Sequence, residues 1–170
     1  MRTIKHWIGG KPSAGTSSRR GQVWNPATGE QQAEVVLASK ADVDEAILVA
    51  GTAFESWSQS SLSKRTKILF DFRELVHRRT REIAEVIADE HGKVVSDAMG
   101  EVQRGLEVVE YACGIPTLLK GEYSDQVSTG VDVYSFRQPL GVVAGITPLN
   151  FPIMVPMWMH PIATACGNTF

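Results

Sequence analysis

The sequence predicts an α/β chain, and three observations carry that reading. Amphipathic helical patterns fill residues 39–113. A continuous apolar run, "LGVVAGI", follows at Leu140–Ile146. A proline-rich loop, "TPLNFPIMVP", then leads into another helical stretch. An uninterrupted apolar run suits a parallel strand covered on both faces. A strand that passes through a loop into a helix is the unit at whose carboxyl end such sheets hold ligands.

The elements follow in order. Residues 4–10 and 22–37 read as short β segments, with "NPATGE" as turn chemistry between apolar runs. Ser39 and Asp42 have the spacing of a capping box, with Asp in place of the usual Glu or Gln. Behind them Val43, Ala46, Ile47, Ala50, Phe54 and Trp57 recur at helical spacing as a core stripe. A second helix carries Ile68, Leu69, Phe72, Leu75 and Val76 on one side. A third, Thr80–His91, buries Ile83, Ala84 and Ile87 and closes at Gly92. A fourth starts near Ser96 with Met99, Val102, Leu106 and Val109 as its stripe. Arg104 lies about 200° round from Val102, away from that stripe. "VSTGVDVYSFRQP" alternates with apolar residues on both faces, so this strand is expected to pack on two sides, one of them a possible subunit contact. Pro152 reads as a first-turn residue of the last helix and Pro161 as its kink or end.

Composition excludes several classes. With 43% hydrophobic and 21% charged residues and a net charge of -2, nothing suggests a nucleic-acid or membrane footprint. The basic cluster at Arg73–Arg81 is interrupted by Glu74 and reads as a solvated helix face. "MRTIKHWIGG" lacks the apolar core of a signal peptide. The apolar run Phe151–Met159 is shorter than the roughly 18–20 residues of a membrane span. Two cysteines, Cys113 and Cys166, have no metal-ligand spacing, so no metal is expected, and they suit a reducing cytoplasm.

Asn150 is the residue that the loop singles out. Pro148 and Pro152 fix their own φ and hold the residues before them extended, so Leu149 and Asn150 lie between two stiff points. A fixed side-chain NH2 at a strand's end can face a developing oxyanion. The side-chain oxygen of the same Asn can equally cap the helix that follows. The residues alone leave both readings open. Arg104 is similarly open: a guanidinium can grip a carboxylate through two parallel hydrogen bonds, or it can simply be solvated.

The motif "RQPLGVVAGITPLNFP", with Glu90-His91-Gly92-Lys93 upstream, resembles the aldehyde dehydrogenase superfamily. Its members carry P-x-G-V-V, then I-x-P-x-N-F-P, and an E-x-G-K element; "WIGGKP", "NPATGE" and "AFESW" fit the same order. "EVQRGLEVVEYACG" and "NFPIMVPMWMHPIATACGNTF" are most similar to the CoA-acylating methylmalonate-semialdehyde dehydrogenase branch, where the helix after N-F-P reads M-V-P-x-W-M-x-P. The resemblance runs along essentially the whole chain.

It implies a Rossmann-like NAD-binding domain, represented by its N-terminal part, plus the first part of a β oligomerisation arm. The divisions would be 1–120 for β segments and four helices, 121–139 for the arm, and 140–170 for the first strand-loop-helix of the nucleotide fold. By the resemblance Asn150 is the oxyanion donor, partnered by the backbone N–H of a catalytic Cys. Thr147, Pro148 and Leu149 line the NAD site, largely through backbone; many relatives have Trp or Phe where this chain has Leu149. Arg104 binds the substrate carboxylate. Glu90 and Lys93 are structural, at a helix end, and neither Cys113 nor Cys166 is the nucleophile. The cofactor is NAD and the co-substrate coenzyme A; a small semialdehyde gives propionyl-CoA or acetyl-CoA with CO2 and NADH. The parent would be a cytoplasmic homo-oligomer, a tetramer or dimer of dimers. "GNTF" reads as a strand cut short, so the chain is expected to be an N-terminal fragment, inactive alone because the K-P-S-E strand end, the pyrophosphate loop, the Glu base and the catalytic Cys are missing. A non-acylating relative and a short non-catalytic subunit are the alternatives.

Overall fold

The computed structural model describes residues 1–170. Five short strands come first: β1 (Arg2–Ile4), β2 (His6–Ile8), β3 (Lys11–Ser13), β4 (Arg20–Trp24) and β5 (Gln31–Val36). β5 is central, with β1 parallel on one edge and β4 antiparallel on the other, while β2 and β3 form a separate hairpin. The β4–β5 turn is set by Asn25, whose Oδ1 accepts the Ala27 N–H at 2.9 Å while its carbonyl accepts that of Gly29 at 2.8 Å. This is the turn chemistry that "NPATGE" predicts.

Helices follow: α1 (Lys40–Trp57), α2 (Leu62–Arg78), α3 (Thr80–His91), α4 (Val95–Cys113) and the single turn α5 (Ile115–Leu118). Then come the hairpin β6 (Tyr123–Ser128) and β7 (Val131–Tyr134), and α6 (Met154–Ala165). The capping box at α1 is complete: Ser39 Oγ accepts the Asp42 N–H at 3.2 Å and Asp42 Oδ2 accepts the Ser39 N–H at 2.7 Å. That Ser39 N–H, helped by Thr16 against the opposing effect of burial, holds the Asp42 carboxyl far below the usual range. Ser39→Ala is expected to lower stability by about 1 kcal/mol, read as an earlier urea midpoint at unchanged slope. Gly92 ends α3 with φ 81°, and a Cβ there would lie 2.8 Å from Pro26 Cγ, so both backbone and space demand glycine.

α4 is the axis of the core. Val102, Leu106 and Val109 pack with Val76 of α2, Ala84 and Ile87 of α3, and Met157 of α6. A second cluster joins Leu69, Ala112, Cys113, Ile115 and Ala165. α4 and α6 approach closely at Gly105, where any Cβ would collide with Met157. Arg65, unmarked in the sequence, is buried and donates from Nη1 to the Ala165 carbonyl at 3.0 Å, satisfying the last turn of α6.

Several local readings are not met within this chain: Ile68, Leu75 and Met99 of the predicted stripes are exposed, and the following elements also differ. The α1 stripe is only partly covered: Val43 and Ile47 are exposed, while Ala46, Ala50, Phe54 and Trp57 are half-buried, with Trp57 Nε1 donating to the Thr164 carbonyl at 3.1 Å. The run Gly141–Ile146 is extended but unburied, and Ile146 is 94% exposed. A strand is kept by its neighbours, and this one pairs only with Thr169, through Val143 N–H to Thr169 O at 2.9 Å and Thr169 N–H to Gly141 O at 3.2 Å. Within this single chain the β6–β7 hairpin is exposed at every position, so nothing in the chain itself packs on either side. Finally, α6 begins two residues after Pro152, which therefore precedes its first turn, and it does not end at Pro161 but runs on to Ala165. Pro161 is fully buried, and packing against the core sustains the helix despite the missing N–H.

Candidate functional site

The loop Thr147–Ile153 connects the apolar run to α6, and side chains from elsewhere fix the start of that run and the end of the loop. Asn168, just past α6, accepts the N–H groups of Leu140 (2.7 Å) and Gly141 (3.1 Å) on Oδ1 and donates from Nδ2 to the Ala163 carbonyl at 3.1 Å. The start of the run is thereby tied to the end of the helix.

At the other end lies Glu101, which the sequence analysis passes over. It sits on the buried face of α4 with Ala98, Val102 and Gly105, and is itself 0% exposed. Oε1 accepts the N–H of Ile153 at 2.9 Å and of Met154 at 3.2 Å, so a carboxylate from another helix caps α6. Oε2 accepts from Lys93 Nζ at 2.5 Å. Burial pushes the Glu101 carboxyl up, but the Lys93 bond, the two backbone N–H groups and the Lys93 charge together hold it below the ordinary carboxylate value. Lys93 Nζ also donates to the Asn150 carbonyl at 2.7 Å and lies 4.3 Å from the centre of the Phe151 ring.

Asn150 is therefore held by its main chain. Its side-chain amide is exposed and has no hydrogen-bond partner in the chain. The helix-capping reading fails, since Glu101 already takes that place. Thr147, Pro148 and Leu149 are exposed, Leu149 by 80%, and none of their backbone groups is used within the chain. Leu149 borders a groove of about 890 Å³ shared with Trp24, Leu75, Val76 and Ile153. Arg104 projects off the α4 stripe as expected, is exposed, forms no ion pair, and places its guanidinium carbon 5.8 Å from the Phe151 ring centre. Lys93 and Arg104 thus both approach the ring of Phe151, the residue next to Asn150.

Neither cysteine shares this site. Cys113 is buried at the end of α4, and Cys166 lies at the far end of α6, about 18 Å along the helix from its start. Burial, with Glu110 adding to it at Cys113, pushes both thiols up, against the opposing pull of nearby arginines. That is the opposite of an activated nucleophile.

The family described as "Aldehyde dehydrogenase family" matches residues 13–170. The chain belongs to the aldehyde dehydrogenase family. A malonate-semialdehyde dehydrogenase of Geobacillus thermodenitrificans is 48% identical over 169 residues, covering 99% of this chain and 35% of that relative. Among solved structures, a methylmalonate-semialdehyde dehydrogenase of Oceanimonas doudoroffii superposes with TM-score 0.96 at 51% identity, over 99% of this chain and 34% of its own. A Sinorhizobium meliloti protein assigned to the same activity and crystallised with NAD gives TM-score 0.96 at 46% identity, again over 99% and 34%. The chain thus spans about a third of the length of these relatives. This aldehyde dehydrogenase chain has an α/β fold matching part of those structures. No helix in it is long and apolar enough to cross a membrane.

The sequence marks the loop and Arg104 as candidates but not Glu101, the carboxylate that holds the end of the loop. One signal was available: Ala98, Glu101, Val102 and Gly105 follow i, i+3, i+4, i+7, which puts a carboxylate at a core position. A charge there needs a partner.

Proposed function

We propose that these residues form part of an NAD-dependent, CoA-acylating methylmalonate- or malonate-semialdehyde dehydrogenase, converting semialdehyde, CoA and NAD+ to propionyl-CoA or acetyl-CoA, CO2 and NADH. One observation carries the reading: the Arg104 guanidinium, without an ion partner, lies 5.8 Å from the ring of Phe151, the residue next to Asn150, whose side-chain amide has no partner in the chain. A hydrogen-bond donor and a cation suit a small molecule with an aldehyde at one end and a carboxylate at the other.

On this reading Asn150 Nδ2–H donates to the aldehyde oxygen as it gains negative charge. Arg104 receives the carboxylate through paired N–H groups and orients the carbonyl carbon toward the attacking thiol. Thr147, Pro148 and Leu149 hold the nucleotide by backbone; their free main-chain groups fit that task. NAD bound there supplies the hydride acceptor. "MVPMWMHP" in α6, similar to the acylating branch, supports CoA rather than water as acyl acceptor. The nucleophilic Cys and the general base come from outside residues 1–170, so this chain alone yields no NADH with any semialdehyde.

The proposed divisions are 1–120 for the N-terminal part of the NAD-binding domain, 121–139 for the arm and 140–170 for the first nucleotide-binding unit. The arm carries exposed Val131, Val133, Tyr134 and Phe136, which supports a homo-oligomer, with a tetramer or dimer of dimers proposed. Both cysteines are unpaired, as a reducing cytoplasm keeps them.

The test is Arg104→Gln in the intact enzyme. KM for malonate semialdehyde should rise about 10- to 100-fold, the scale of a hydrogen bond to a charged group, with little change for an aldehyde lacking the carboxylate. Equal effects on both substrates would remove Arg104 from the site. A free acid formed in the presence of CoA would establish the non-acylating alternative.

A further inference from the structure

We propose that Lys93 and Glu101 are positioning residues that fix the main chain on both sides of Phe151, at the Asn150 carbonyl and at the start of α6, so that the Asn150 side-chain amide stays free, an inference that rests on the oxyanion reading of Asn150. Lys93 sits outside α4, in the link that follows α3, yet its Nζ bridges two groups: Glu101 Oε2 at 2.5 Å and the Asn150 carbonyl at 2.7 Å. Glu101 then reaches over Asn150 to the N–H groups of Ile153 and Met154. The peptide carbonyl of Asn150 is held on one side and the start of α6 on the other, with Phe151 clamped under Lys93 between them.

Simpler arrangements would not achieve this. A local cap from Asn150 itself would satisfy the helix through its side-chain oxygen but turn the side chain toward the helix. A cap supplied by Glu101 alone would leave the Asn150 peptide plane able to rotate. The Lys93 bond fixes that plane, and the plane sets where the side chain leaves the backbone. The ion pair is charge-balanced, so it adds little net field of its own and leaves Arg104 as the cation beside the loop without an ion partner. A lysine placed merely to neutralise a buried glutamate has no need to contact Asn150.

Asn150–Phe151 is the only Asn–Phe pair in the sequence, so carbonyl-13C asparagine with 15N phenylalanine labelling of this chain yields a single carbonyl–amide correlation reporting the Asn150 carbonyl. Lys93→Met should move and broaden that signal, and Lys93→Arg should restore it. Glu101→Gln should speed hydrogen exchange at Ile153 and Met154 about 10-fold or more. The double variant Lys93→Met/Glu101→Gln strands no buried charge and keeps the test valid if the single Lys93→Met change does not fold. An unmoved Asn150 carbonyl signal in both Lys93→Met backgrounds would overturn the proposal. In the intact enzyme Lys93→Met should lower kcat with KM for aldehyde little changed, again restored by Lys93→Arg. A moved carbonyl signal with full turnover would instead overturn the oxyanion reading, so the two failures are distinguishable.

Discussion

Asn150→Ala in the intact enzyme is expected to lower kcat about 100- to 1,000-fold, the cost of removing one oxyanion-hole donor. KM for the semialdehyde should change little, because the donor acts on charge that develops only in the transition state. The loop itself should survive the substitution, since the Asn150 side chain makes no bond within the chain while its carbonyl keeps the Lys93 contact. Steady-state kinetics with a thermal melt of the same variant checks both halves. A large rise in KM at unchanged kcat would assign Asn150 to ground-state binding instead.

Glu101→Ala carries the largest expected stability effect, a loss of about 3–5 kcal/mol, the range for breaking a buried ion pair from one side. The change strands Lys93, whose side chain is only 18% exposed, and uncaps Ile153 and Met154. Denaturant unfolding measures it. The pH dependence follows from the lowered Glu101 value. The stabilisation is fully present above the unfolded carboxyl value, about 4.3, and is lost as pH falls through the still lower folded value. Glu101→Gln should remove that acid-side dependence; a variant that keeps the parental acid profile would assign it to other carboxyls.

What was legible in the sequence was local. The Ser39–Asp42 box, the Gly92 stop, the Val102, Leu106 and Val109 positions of the α4 stripe and the N-F-P loop each rest on residues within a few positions of one another, whereas Met99 of that stripe is exposed. What was not legible depended on distant partners. Glu101 looks like an interruption in an apolar face until the N–H groups of Ile153 and Met154 arrive to meet it. The α1 stripe and the Leu140–Ile146 run have the periodicities of covered elements, yet coverage is a property of the neighbour and not of the pattern. Pro161 shows the converse: a local rule against helix continuation yields where the residue is fully buried.

The Glu101–Ile153 bond spans 52 residues, and its order along the chain has a consequence for synthesis. At roughly 5–20 residues per second on the ribosome, the acceptor precedes its donors by about 3 to 10 s. Helices form in about a microsecond. Lys93, Glu101 and α4 thus have time to be in place before Asn150 is translated, and the segment 150–154 emerges against a seat already built.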